Sequence, residues 1–132
     1  DAGGSLCELD DPETLKVLAE HTLILYIKAN EKDEQDLIKR AEDDPKPLYY
    51  REAFLDEQLA IYLREKGHGF VAEIDPDDFV RWMFPRLFYS RIPRYQAIVD
   101  QYGYTLSTDE LKEVRDEASF LRVVERVLER QA

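Results

Sequence analysis

The sequence predicts an α/β domain that is rich in helix and holds few parallel strands. Three observations carry that expectation. Thr22-Leu-Ile-Leu-Tyr-Ile27 is a nearly continuous apolar run with β-branched members, the pattern of a strand covered by helices on both faces. Asp11-Pro12 and Asp75-Pro76 each put an acidic cap before a proline at the first helical position. From about Glu117, Phe120, Leu121, Val124, Val127 and Leu128 recur at the period of a helix face turned to a core.

In chain order, Asp11 opens a short helix carrying Leu15, Leu18 and Ala19, and the apolar strand follows. Asn30 caps a surface helix whose narrow stripe is Leu37, Ile38 and Ala41. Asp43-Asp44-Pro45-Lys46-Pro47 ends that helix, because each proline removes a donor and disfavours helix in the residue before it. Arg51 to Lys66 spaces Phe54, Leu55, Leu59, Tyr62 and Leu63 as an amphipathic helix, closed by Gly67. Phe70 to Ile74 is expected as a short strand or extended connector. The helix opened by Asp75-Pro76 carries Phe79, Val80 and Trp82 and is expected to break or bend near Pro85 and Pro93. Tyr95 to Tyr102 is expected to be helical and Tyr104-Thr-Leu106 a short strand. Ser107-Thr-Asp-Glu110 has the spacing of a capping box.

The 132 residues are expected to form one domain, 1–132, since no repeat, low-complexity tract or linker interrupts them. Lys plus Arg number 18 against 29 Asp plus Glu, a formal charge of -11, which repels phosphate backbones and makes nucleic acid a poor partner. Arg81, Arg86, Arg91 and Arg94 nevertheless share one aromatic-rich stretch, so a local anion site is allowed. The single cysteine, Cys7, excludes an intrachain disulfide and fits a reducing compartment; a buried thiol is expected, with a reactive nucleophile as the alternative. No apolar run approaches the roughly 18 residues of a membrane span and no basic-then-apolar leader occurs, so a cytoplasmic protein without a membrane partner is expected. The chain starts at Asp1, without methionine and directly on Gly3-Gly4, as a cut inside a larger protein would.

Four groups of residues bear on chemistry. In Asp1-Ala-Gly3-Gly4-Ser5 the glycines let backbone amides approach an anion and the aspartate can hold a hydrated magnesium ion; a plain turn after a strand is the alternative. Asp44 to Arg51 sets Lys46 and Arg51 on a proline-stiffened loop, either a lid over phosphates or a rigid connector. Arg91-Ile-Pro93-Arg94-Tyr95 offers planar forks to a carboxylate or phosphate, or else pairs Arg91 with one of the many acids. Trp82, Phe84, Phe88 and Tyr89 are expected in the core rather than as a stacking platform. His21 and His68 have no partner at zinc-ligand spacing, and the acidic clusters sit at helix ends without the loop of an EF-hand.

Taken in order, these pieces resemble the latter half of the shikimate kinase group of P-loop small-molecule kinases. Gly3-Gly4 match its glycine turn, Thr22 to Ile27 its strand, Lys46-Pro47-Leu48 its basic-Pro-Leu lid motif, and Arg91-Ile-Pro93-Arg94-Tyr95, continued by Gln96 to Asp100, its Arg-x-Pro-x-Tyr helix start. The resemblance implies a helix-rich partial P-loop domain of three layers, acting on a small-molecule or phosphate substrate with Mg-ATP. It implies that Lys46 and Arg51 are catalytic cations over the transferring phosphate, that Gly3, Gly4, Arg91 and Arg94 face the acceptor, and that Asp1 lies near the magnesium. Two departures stand out: the lid cation is a lysine where the group usually has arginine, and Asp56 to Phe88 is longer and more aromatic than its counterpart. No Gly-x-x-x-x-Gly-Lys-Ser/Thr occurs, so the amides and lysine that hold ATP phosphates are not in this sequence. A C-terminal portion, inactive alone, is therefore expected, with roughly 90 to 100 residues ahead of it in a normal-sized domain. The competing expectation is a non-catalytic acidic helical interaction or regulatory module built on Trp82 to Tyr95. An acidic mimic of nucleic acid is a third. An uncovered strand edge would also allow a homo-oligomer.

Overall fold

A computed structural model describes residues 5–131. A 3-10 turn at Leu6–Glu8 leads into α1 (Pro12–His21), β1 (Ile24–Lys28), α2 (Glu31–Asp43) and α3 (Glu52–Lys66). Then come α4 (Pro76–Tyr102), β2 (Gly103–Ser107), the single turn α5 (Thr108–Leu111) and α6 (Glu117–Gln131). The chain is thus rich in helix around one two-stranded parallel sheet, β1 beside β2, with Ile24 opposite Gly103 and Lys28 opposite Ser107.

The caps legible in the sequence form. The Asp11 carboxylate accepts from the Glu13 amide at 3.1 Å and from the Thr14 hydroxyl at 2.8 Å, which opens α1 with Pro12 at its first position. Asn30 with Asp33 and Ser107 with Glu110 each complete a reciprocal capping box, so α2 and α5 begin where their first free amides find partners. Gly67 closes α3 at φ 69°, a left-handed conformation in which any side chain would be strained.

Three expectations are corrected. Phe70 to Ile74 is no strand: Val71–Glu73 makes a 3-10 turn between α3 and α4. The expected break near Pro85 and Pro93 does not occur, and Arg91 to Tyr95 lies inside a continuous 27-residue helix rather than at a helix start. An interior proline costs about 3 kcal/mol, but α4 buries Phe79, Met83, Leu87 and Val99, and each such side chain contributes about 1.5 to 3 kcal/mol. Met83 and Leu87 straddle Pro85, so packing outweighs the lost backbone bonds. The apolar strand starts two residues later than expected and is not buried on both faces: Ile24 is buried, while Leu23 and Ile27 are 48% and 50% exposed.

Two cores hold these elements. Between α6 and the sheet, Leu106, Val123 and Val127 pack with Leu25, Tyr104, Leu111 and Val114. The opposite face of the sheet meets α4, where Tyr26 stacks on Tyr95 with centroids 5.2 Å apart. The second core joins α3 to α4 through Tyr62, Phe79 and Met83, with Trp82 packed against them; Tyr62 meets the edges of Phe79 and Trp82 at 5.1 and 5.2 Å. Of the aromatic group expected in the core, Trp82 therefore joins it, whereas Tyr89 is exposed.

Burial, and then the 2.6 Å bond that the Tyr62 hydroxyl donates to Asp78, push the Tyr62 phenol up to about 12. The unfolded chain releases this proton near pH 10 and the folded chain near pH 12. The stability held by the neutral phenol is therefore fully present below pH 10 and lost as pH rises to 12, a loss on the order of 2 kcal/mol. Urea melts between pH 9 and 12 should show that decline, and Tyr62→Phe should flatten it.

Candidate functional site

The N-terminal segment of the described chain crosses the middle of α4. Its 3-10 turn buries Cys7 and packs against that helix, which carries Glu8 into a ring of arginines. Arg51 stands at the cap position of α3 and gives α3 no side-chain cap; its guanidinium turns instead to Glu8, donating from Nε to Oε2 at 3.1 Å. Arg91, from the central turns of α4, donates from Nε to Oε1 at 3.0 Å, and Arg94 Nη1 lies 3.5 Å from Oε2. The Glu8 side chain is 5% exposed. Asp10 forms an outer layer, two-thirds exposed, accepting from Arg51 Nη1 and from Arg94 Nη2 at 3.3 Å.

The residues around this cluster fix its geometry. Arg91 Nη2 also donates to the Tyr49 carbonyl, tying the connector between α2 and α3 to α4. The hydroxyls of Ser5 and Tyr95 hydrogen-bond, and Ser5 Oγ stands 3.0 Å from Cys7 Sγ. Burial pushes the Tyr26 and Tyr95 phenols up, so both stay neutral over the ordinary pH range.

Three guanidinium groups face two carboxylates, which leaves one positive charge in excess inside a chain of charge -11. Attraction across about 4 Å is worth roughly 4 kcal/mol near a protein surface, and most of it offsets the hydration the ions lose. The cluster is best understood as geometry: forks from two helices held around one planar oxyanion, the shape guanidinium matches in carboxylate and phosphate. Beside Arg91 a cavity of about 220 Å³ opens at the C-terminal end of β1, walled by Leu37, Phe84, Phe88 and Tyr95, with Lys28 at its rim. The C-terminal ends of parallel strands are where α/β folds place ligands.

Of the residues expected to act, the fold brings Arg51 together with Arg91 and Arg94, 40 and 43 residues further along the chain. Lys46 is not with them: its ammonium pairs with Asp44 at 3.2 Å on the exposed surface. Asp1, Gly3 and Gly4 lie outside the described residues. Among the described residues no group of three or more His, Cys, Asp or Glu stands together as a metal site, and no helix is long and apolar enough to cross a membrane. Sequence reasoning missed Glu8, the acid at the centre. The available signal was its place beside Leu6 and Cys7, an apolar pair that draws one carboxylate inward among 29 acids. No known protein family, no curated protein and no solved structure matches the chain.

Proposed function

We propose that this chain is the acceptor-side and lid portion of a P-loop small-molecule kinase-like ATPase, resembling the shikimate kinase group and inactive without a segment that supplies the phosphate-binding loop. The observation that carries the reading is the convergence of Arg51, Arg91 and Arg94 on one oxyanion position beside a cavity at the end of β1. The parallel pair with helices on both faces supports it. In this reading Arg91 and Arg94 hold the anionic part of the acceptor, Arg51 meets the transferring phosphate, Asp1, Gly3 and Gly4 complete the acceptor and magnesium side, and Lys46 would have to leave Asp44 to join them. Three guanidinium forks fit the oxygens of a phosphoryl group, and Mg-ATP would supply that group. The chain's own part is to orient it and spread its charge, which is most of what phosphoryl transfer asks of a protein.

The test is calorimetric titration of Mg-ATP and ADP into this chain and into a version extended N-terminally through its reading frame. Binding and ATP turnover are expected only in the extended protein, with turnover reduced at least about a hundredfold by Arg91→Ala. Absence of nucleotide binding in both would reduce the likeness to architecture. The non-catalytic acidic helical module would then be the better account, and the exposed Tyr89 on α4, with Phe70 and Val71 exposed at the turn before it, favours it.

A further inference from the structure

We propose that Glu8 and Asp10 stand where the two charges of a phosphoryl ligand would, so that the N-terminal 3-10 turn is an intramolecular competitor which such a ligand must displace to bind. The inference rests on the reading of Arg51, Arg91 and Arg94 as an anion site and adds how that site is kept closed. The position on which the three forks converge is already filled by the Glu8 carboxylate, with Oε1 taken by Arg91 and Oε2 by Arg51 and Arg94. Asp10 covers the outer side of Arg51 and Arg94. Two carboxylates thus bring two negative charges to three guanidinium groups. A dianionic phosphoryl group brings the same two charges on one centre with three strong acceptor oxygens, so the exchange keeps the charge balance of the cluster. A monocarboxylate would leave two positive charges in excess instead of one, which makes it the weaker competitor.

The turn is attached in a way that lets it leave as a unit. Both backbone bonds that form it, from the Glu8 amide to the Ser5 carbonyl at 3.0 Å and from the Leu9 amide to the Leu6 carbonyl at 3.2 Å, are internal to it. Among the described residues its ties to the rest of the chain run through side chains: Glu8 to the arginines, the Ser5 hydroxyl to Tyr95, and Leu6 beside Tyr95 and Val99 along one groove. Leu9 and Asp11, both extended, link it to α1, and the Asp11 cap gives that helix a start of its own that does not depend on the turn. Arg51, Arg91 and Arg94 stay partly exposed even beneath the two acids, so their forks open to solvent once the turn lifts.

Displacement has a signature that ordinary binding lacks, because the single cysteine rides on the same turn. Cys7 is 2% exposed while the turn is docked and comes into solvent when it lifts. A ligand that binds the chain with the turn in place favours the closed state and slows alkylation of a buried thiol. A ligand that takes the place of Glu8 favours the open state and speeds it.

The test follows alkylation of Cys7 by iodoacetamide, an uncharged reagent, in this chain at about pH 8, where inorganic phosphate carries close to two charges. Tens of millimolar phosphate are expected to speed the reaction about fivefold, the factor by which phosphate stabilises the opened turn, and chloride or acetate at the same ionic strength to leave it unchanged. Glu8→Gln removes the competing charge and keeps the shape of the side chain, so in a chemical-shift titration it should bind phosphate at least about tenfold more tightly than the parent, since no charged occupant has to leave. The alkylation measurement needs no substitution and stands even where the variant folds poorly. Alkylation that phosphate slows or leaves unchanged overturns the displacement, as does equal affinity in parent and variant, and phosphate binding to Glu8→Gln would then still uphold the anion site. Phosphate that binds neither protein removes the anion site itself, and with it the reading on which this inference rests.

Discussion

Replacing Glu8 with alanine is expected to cost about 4 kcal/mol, more than any other single change of a charged residue in this chain. Removing one partner of a buried ion cluster leaves the others desolvated and unpaired, and that penalty runs to roughly 3 to 5 kcal/mol. Here three guanidinium groups lose their inner carboxylate at once, with Asp10 left to Arg51 and Arg94 and only the Tyr49 carbonyl left to Arg91. Glu8→Gln keeps an acceptor oxygen and the shape, so it should cost about half as much. Arg51→Ala should cost about 1 kcal/mol, because Glu8 keeps Arg91 and Arg94 and the largely exposed Asp10 returns to water. Urea melts of the three variants give the ranking directly. They also bear on function: if the forks are built for any planar or tetrahedral oxyanion, tens of millimolar phosphate should recover about 1 to 2 kcal/mol in Glu8→Ala and little in the parent chain. An alanine variant that melts within about 1 kcal/mol of the parent would mean the arginines are already satisfied by solvent.

Why some of this was legible in the sequence and some was not follows from the range of each interaction. Asp11-Pro12, Asn30, Gly67 and Ser107 with Glu110 act within four residues, and each element they predict is present with its cap. The strands were recognisable from local apolar and β-branched runs. The continuity of α4 was not, because Pro85 and Pro93 argue locally for a break while a reason for continuing, the burial of Met83, depends on partners from α3 and the connector. The exposed side of β1 was hidden for a similar reason: an apolar run tells how well a strand can be covered, not how many strands and helices are there to cover it. At the candidate site the arginines stood out in two separate places, Arg51 with Lys46 on the proline loop and Arg91 with Arg94 in the aromatic-rich stretch. Their shared partner did not, because Glu8 is 43 residues from Arg51 and 83 from Arg91, and its one local signal, the apolar pair Leu6-Cys7 beside it, names no partner.

The sheet can be tested by comparing Gly103, at its first pair, with Gly67 and Gly69 outside it, glycines used for different physical reasons. A Cβ at Gly103 would stand 2.5 Å from the Ile24 carbonyl oxygen and 3.2 Å from the Ile24 carbonyl carbon. Those atoms belong to backbone, not to a side chain that can swing aside. Gly103→Ala must therefore push β2 from β1 at the first pair of the ladder, where the end of α4 and the buried Ile24 leave little room to shift. Overpacking of this kind costs about 1 to 3 kcal/mol, and the upper end is expected here. At Gly67 a Cβ meets nothing within 4 Å, but the left-handed φ of 69° makes alanine cost about 1 kcal/mol through strain alone. At Gly69 the nearest atom is the mobile carboxylate of Glu73 at 3.9 Å, and no positive φ is required, so alanine should be close to neutral. Chemical denaturation of the three variants should place them in that order. The amide of Tyr26, which the ladder pairs with β2, should lose protection in Gly103→Ala and keep it in the other two, since only that substitution touches the contact between the strands.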